Sequence, residues 1–280
     1  MIIDFHTHTF PEKIAAGAIE KLKDNSHTES FSDGTVSGLS AQLTQNGVDL
    51  AIVLPVVTNP VKTRKINDSA ARINETTAST HVFSFGGMHP DTPDYKAELR
   101  HIQALGLKGI KLHPAYQRVD LDDIRYERII GYANELGLLI TVHGGLDIGI
   151  EGTWSTPRKA RKVLDDVRPN KLIMAHTGGW QMWDDVIEFL CGQNVYLDTS
   201  FSMGNYAYQK NVPMSERAPA LSREKFVEIV RLHGADRILF GTDSPWGSHA
   251  EQLRIVRSLP LDEEEKRKIL GENGKELLNL

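Results

Sequence analysis

Eight short apolar runs, each ending in small or polar residues and followed by a longer stretch with helical spacing, constrain this chain more than any other feature. The runs cover residues 2–5, 50–54, 82–85, 107–112, 138–142, 172–175, 195–197 and 237–240, and candidate helices lie at 62–79, 94–105, 122–136, 156–167, 180–190 and 222–233. Near-continuous apolar strands alternating with helices predict a parallel sheet covered on both faces, and eight units favour a closed (β/α)8 or TIM barrel over an open sheet. The length of 280 residues is close to the roughly 250 typical of that barrel, so one domain over 1–280 is expected. Two segments interrupt the rhythm. Residues 25–38 are rich in Ser, Thr, Asp and Gly, and residues 201–219 carry Gly, Asn, Tyr and Pro; both read as insertions, after strand one and strand seven. Beyond Leu259, Pro260 and Asp262 precede three Glu and then Lys and Arg, an order that suits a helix dipole and predicts packing rather than chemistry.

Composition narrows the partners. With 40% hydrophobic and 25% charged residues the chain is that of an ordinary globular protein. No apolar stretch approaches the roughly 18 residues of a spanning helix, so no membrane partner is expected. The net charge is -5 and no basic cluster stands out, so a nucleic-acid partner is not expected either. Cys191 is the single cysteine and excludes an internal disulfide, and Met1-Ile2-Ile3-Asp4 lacks the charged and apolar regions of a signal peptide. A cytoplasmic location and a small-molecule substrate are the expectations.

Six of the 11 histidines end or follow a predicted strand, where an enzyme on this barrel places its chemistry: His6 and His8 after the first, His89 the third, His113 the fourth, His143 the fifth and His176 the sixth. Asp243 follows the eighth in Gly241-Thr242-Asp243-Ser244-Pro245-Trp246. His27, His81, His101, His233 and His249 fall elsewhere and read as surface or helix-end residues. His6 and His8, two apart on a strand, share a face, so both rings are expected to point into the barrel mouth, where they are suited to grip one ion. His143 and Asp243 join them from other strand ends. Four nitrogen or oxygen ligands suit zinc, with manganese or iron as substitutes. An uncoordinated histidine at the mouth would handle protons, while a divalent ion lowers the pKa of its water and polarises a carbonyl. Lys111 and His113 share a face of strand four; Lys111 reads as a substrate-charge partner or as a lysine lining the barrel interior below His113. Trp246, Tyr116 and Gln117 are placed to overhang the mouth, and the glycine-rich 144–153 reads as a lid or a plain surface loop.

Asp4-Phe5-His6-Thr7-His8, Lys111-Leu112-His113-Pro114, Val142-His143, Ala175-His176-Thr177-Gly178-Gly179 and Gly241-Thr242-Asp243 together resemble the amidohydrolase superfamily of metal-dependent TIM barrels. The chain looks most like its amidohydrolase-2 branch, which contains aminocarboxymuconate-semialdehyde decarboxylase and related hydrolases, over essentially its whole length. The resemblance implies His6, His8, His143 and Asp243 as ligands of one ion and His176 as general base or acid. Asp243 would also take a proton from the metal-bound water, and Lys111, His113 and Trp246 would meet the substrate. In two-metal members a carboxylated lysine on strand four bridges two ions and the sixth-strand histidine ligates the second; that arrangement at Lys111 stays open, although the one-metal branch is the better likeness. A homodimer is compatible with the branch, but no exposed apolar stripe marks an interface.

The leading expectation is hydrolysis of a small ester, lactone or amide by metal-activated water, and the alternative is non-oxidative decarboxylation of a small carboxylated substrate. A phosphoesterase of the histidinol-phosphatase kind would need a late Asp-x-His where this chain has Asp243-Ser244-Pro245. A TatD-like nuclease would need a basic patch. A barrel that has lost activity would not need every proton-handling group.

Overall fold

The computed structural model describes residues Met1–Leu280 except Asn205. Eight parallel strands follow one another in chain order: β1 (Ile3–Thr7), β2 (Leu50–Val53), β3 (Val82–Ser84, continued through Phe85 to Gly86–Gly87), β4 (Gly109–Leu112), β5 (Leu139–Val142), β6 (Leu172–Met174), β7 (Tyr196–Asp198) and β8 (Ile238–Leu239). Each falls within or beside an expected run. Phe85 donates its N–H to Val53 O at 2.9 Å and Met88 to Lys111 O at 3.3 Å, which joins the two ladders across β3. The ring closes where Phe5 N donates to Phe240 O at 2.8 Å and Asp243 N to His6 O at 2.8 Å. This is the expected TIM barrel.

The longer helices around the barrel are α1 (Glu12–Ser26), α2 (Val36–Asn46), α3 (Thr63–Asn74), α4 (Tyr95–Ala104), α5 (Ile124–Glu135), α6 (Pro157–Val167), α7 (Trp183–Phe189), α8 (Arg223–His233) and α9 (His249–Arg257). Their starts follow local chemistry. Thr156 accepts from Lys159 N ahead of Pro157, Ser222 from Lys225 N and Ser248 from Glu251 N, each satisfying an amide that has no partner inside the helix. The first insertion, 25–38, is the link from α1 to α2: it takes in only the last two residues of α1 and the first three of α2. Residues 201–219 carry one short helical turn, Met214–Glu216; Asn205, inside that insertion, lies outside the described residues.

Two apolar clusters hold the barrel. Ile3, Phe5, Ile52, Phe85, Ile173 and Leu239 fill the interior, and a larger cluster lies between strands and helices. Each such side chain contributes about 1.5–3 kcal/mol by leaving water. Leu277 and Leu278 of the C-terminal helix Asn273–Leu278 join the interior cluster, so the tail is packing, as its sequence implies. A capping box between Asp262 and Glu265 starts the tail's first helical stretch. Among the described residues no helix is long and apolar enough to cross a membrane.

Candidate metal and active site

Strand alternation alone would point His6 and His8 the same way as Asp4, and Asp4 points out of the barrel. Its Oδ1 accepts from Thr242 N at 3.0 Å and His6 N at 3.1 Å, and its Oδ2 lies 3.0 Å from Nε2 of His249 on α9. The register of β1 on β2 shifts between Asp4 and Thr7. Beyond that irregularity His6 and His8 face the mouth, the re-aiming that a bulge beside a functional site produces.

The proton inventory of the histidines follows from their partners. His6 Nδ1 donates to Asp198 Oδ2 at 2.9 Å, and His8 Nδ1 donates to the Leu54 carbonyl at 2.9 Å. Both rings therefore offer an Nε2 lone pair, and both lone pairs meet Asp243 Oδ1, at 3.4 Å from His6 and 3.1 Å from His8. His176 Nδ1 donates to Ser200 O at 3.0 Å, so its Nε2 accepts the Nδ1 proton of His143 at 3.0 Å. His143 Nε2 faces Leu146 O at 2.9 Å, so the two neutral rings have two protons for three contacts, and a cation at His143 Nε2 would take up the mismatch. Three imidazole lone pairs and a carboxylate, acceptors only, are a donor set that fits a divalent cation.

The grouping differs in one respect from the expected foursome. Ligand atoms of His6, His8 and Asp243 lie within 4.8 Å of one another, whereas His143 falls in an adjoining group with His113 and Asp147, also within 4.8 Å. The two groups touch through His176, whose ring centroid is 5.1 Å from that of His6 and 4.7 Å from that of His143. His113 stacks on His143 at 4.2 Å. Lys111 does not stay a layer below the mouth: its Nζ lies 3.2 Å from His6 Nε2.

Burial sets the protonation of the cluster. It holds His6, His113 and His176 well below the ordinary histidine range and His143 down at about 3, so the rings are neutral ligands or bases at pH 7. Burial likewise lowers Lys111 to about 8, raises the Asp243 carboxyl and pushes Asp147 up to about 6. His176 and Asp243 sit in left-handed backbone, at φ 60 and φ 63. Neighbours hold that strained geometry: Asp198 Oδ1 accepts from His176 N, Asp198 O from Thr177 N, and His6 O from Asp243 N.

A cavity of about 1370 Å³ opens over this floor, lined by His6, His8, Lys111, His113, His143, His176, Asp243 and Trp246, but not by His89, the histidine expected after the third strand. Phe10, Tyr116, Trp180 and Phe201 add aromatic walls. Gln117 is turned away, tying Val57 O and Met88 O together. Gly144 lets two loops meet closely, since a Cβ there would stand 2.6 Å from Ala175 O.

Sequence reasoning missed Asp198, Asp147 and Asp4. Asp198 is a lone acid at the end of β7, and only its reach to His6 across the barrel reveals its part. His249 was expected at a helix end near the surface; it is at a helix start, but 2% exposed and set against Asp4, and His233 is likewise buried, bonded to Val195 O. Burial of a helix face, not strand position, decides both.

A family model described as Amidohydrolase matches residues 3–280. The chain belongs to the amidohydrolase family. This bears out the resemblance to the amidohydrolase-2 branch. No curated protein matches the chain. Among solved structures, the 5-carboxyvanillate decarboxylase of Sphingomonas paucimobilis is 14% identical with a TM-score of 0.66, covering 100% of this chain and 99% of that one. A dihydroxybenzoic acid decarboxylase from Polaromonas sp. JS666, with bound manganese and the inhibitor 2-nitroresorcinol, is 17% identical with a TM-score of 0.69, covering 100% and 97%. A probable 2-pyrone-4,6-dicarboxylic acid hydrolase from Acinetobacter baumannii, with citric acid bound, is 14% identical with a TM-score of 0.66, covering 100% and 99%. At these identities the likeness establishes the barrel, and the chain is an enzyme fold of this family.

Proposed function

We propose that this amidohydrolase is a metal-dependent carboxy-lyase that removes CO2, without an oxidant, from a small aromatic carboxylic acid. The observation that carries the reading is Lys111: a buried ammonium 3.2 Å from His6 Nε2, on the floor of a cavity with aromatic walls. A decarboxylase must hold an acid against the metal-binding residues, and a cation at this point serves that need. The likeness to two decarboxylases of aromatic acids, one holding manganese, favours the same choice over the hydrolysis expected from the sequence.

A divalent ion held by His6, His8, His143 and Asp243 would supply Lewis-acid anchorage for the substrate's carboxylate and a neighbouring oxygen; manganese, zinc or iron suits these donors. The chain's own residues do the rest. Lys111 donates to the carboxylate, and Trp246 and Tyr116 confine the ring. The bond from ring carbon to carboxylate breaks, its electron pair stays on carbon, CO2 leaves, and a proton takes its place. Asp243, whose carboxyl is raised by burial, delivers that proton, and His176, neutral and in contact with His6 and His143, exchanges it with the surroundings.

Hydrolysis of a small ester, lactone or amide is the second reading, favoured by the likeness to a probable lactone-opening barrel. Manganese-reconstituted protein assayed on hydroxybenzoates and on pyrone lactones separates the two. One CO2 per aromatic product supports the carboxy-lyase. Acid release from lactones without CO2 supports hydrolysis, and turnover of neither class refutes both.

A further inference from the structure

The cavity is larger than a hydroxybenzoate requires: about 1370 Å³, against the roughly 300–1,000 Å³ typical of sites for whole drug-sized ligands. The excess lies in an arm that leaves the mouth past Phe10 and runs between α1 and α3. Ile14 and Leu22 of α1 and Ile66 and Ile73 of α3 line it with apolar surface. Its rim has the opposite charge from the molecule. Lys13, Lys21, Lys62, Lys65 and Arg72 line it with Glu12 as the single acid of that arm, in a chain of net charge -5. All five cations are exposed, and among the described residues none pairs with a carboxylate; Arg72 reaches only Ser69 Oγ.

Helical spacing explains how the arm forms. Lys62, Lys65, Ser69 and Arg72 recur three and four residues apart, which places them on one face of α3 and its leading turn, over about 15 Å at 1.5 Å per residue. Across the gap, Ile14, Lys21 and Leu22 repeat at seven and eight on α1. An apolar floor with an unneutralised cationic edge complements a ligand with an apolar stem and an anionic end.

We infer that the arm is a subsite for an anionic tail, so that the substrate is an elongated aromatic acid carrying, beyond an apolar spacer, a phosphate or carboxylate group. The inference rests on the proposed carboxylate site for the head of that ligand. Lys111 and the metal-binding residues meet the carboxylate that is lost, and Lys65 and Arg72 meet the charge that is kept.

The test is binding to the full chain, read by tryptophan fluorescence, of three para-substituted benzoates: one with an uncharged hexyloxy tail, one whose tail ends in a carboxylate and one whose tail ends in a phosphonate. Either charged tail should bind about tenfold more tightly than the uncharged one, the sum of a few exposed ion pairs. That ratio should collapse towards one in the double variant Lys65→Glu/Arg72→Glu, and in the parent at about 0.5 M salt, which screens exposed pairs beyond a few ångströms. A larger gain for phosphonate assigns a phosphate tail, and equal gains assign a second carboxylate. A ratio of one in the parent at low salt overturns the subsite. So does a dimer in sedimentation that the double variant dissociates, because the arm is then an interface between copies. Persistence of the tail effect without CO2 release refutes the carboxy-lyase alone.

Discussion

Replacing Asp198 by asparagine changes one atom of the group that orients two histidines, and the structure dictates how the amide must turn. The Oδ1 position is approached by three donors: His176 N at 3.1 Å, Ser200 N at 3.0 Å and the Ser200 hydroxyl. An NH2 there would leave all three unpaired in a buried site, so the amide oxygen takes that position. The NH2 then faces His6 Nδ1 in place of the Oδ2 that accepts from it at 2.9 Å. His6 is driven to the other tautomer, with a proton on the Nε2 that points at Asp243. Folding exchanges one charge-assisted hydrogen bond for a neutral one, a loss of about 1 kcal/mol. Metal affinity should fall further, by about 10- to 100-fold, the usual cost of removing the outer partner of a ligating histidine. Urea unfolding of the metal-free protein measures the first effect and manganese titration against a chelator the second. A folded Asp198→Asn that binds manganese as tightly as the parent refutes the tautomer argument.

Lys111→Met should raise KM for a carboxylate substrate by about 10- to 150-fold, the loss of one charge-assisted hydrogen bond; an unchanged KM in steady-state assays removes Lys111 from substrate binding. The metal-free protein should lose stability as pH falls below 6.5. His6, His113, His143 and His176 are held below that value when folded, so the unfolded chain takes up protons first. Each adds a slope of about 1.4 kcal/mol per pH unit from about 6.5 down toward its folded value, which for His143 is about 3. Urea midpoints that stay level between pH 7 and pH 5 contradict this. Gly144→Ala should destabilise by about 1–3 kcal/mol through the Cβ contact with Ala175 O and should weaken metal binding, since it displaces the strand ends that carry His143 and His176. A calorimetric transition unmoved by this change would show that the two loops have room to give.

The barrel was legible because apolar runs such as Leu139–Val142 are buried on both faces and leave no period-two pattern to confuse with an edge strand. The histidines at strand ends were legible for the same reason, as polar residues directly after such runs. That His6 and His8 face the mouth agrees with their expected direction, but alternation along the strand does not account for it. Period two places His6 and His8 on the outward face of Asp4, and only the register shift in β1, set by pairing with a strand more than 40 residues away, turns them inward. Asp198 and Asp147 act through contacts across the barrel or within an irregular loop, which no local pattern encodes. Lys111 was ambiguous because a lysine on an interior face can end at either of two layers, and side-chain length alone carries it to His6.

Anomalous diffraction from crystals of the manganese-loaded protein tests the central claim most directly. A single manganese peak bound by His6, His8, His143 and Asp243 is expected, with His143 drawn from its present group and Lys111 uncoordinated. A peak held by His113, His143 and Asp147, or two peaks bridged by a carboxylated Lys111, contradicts it.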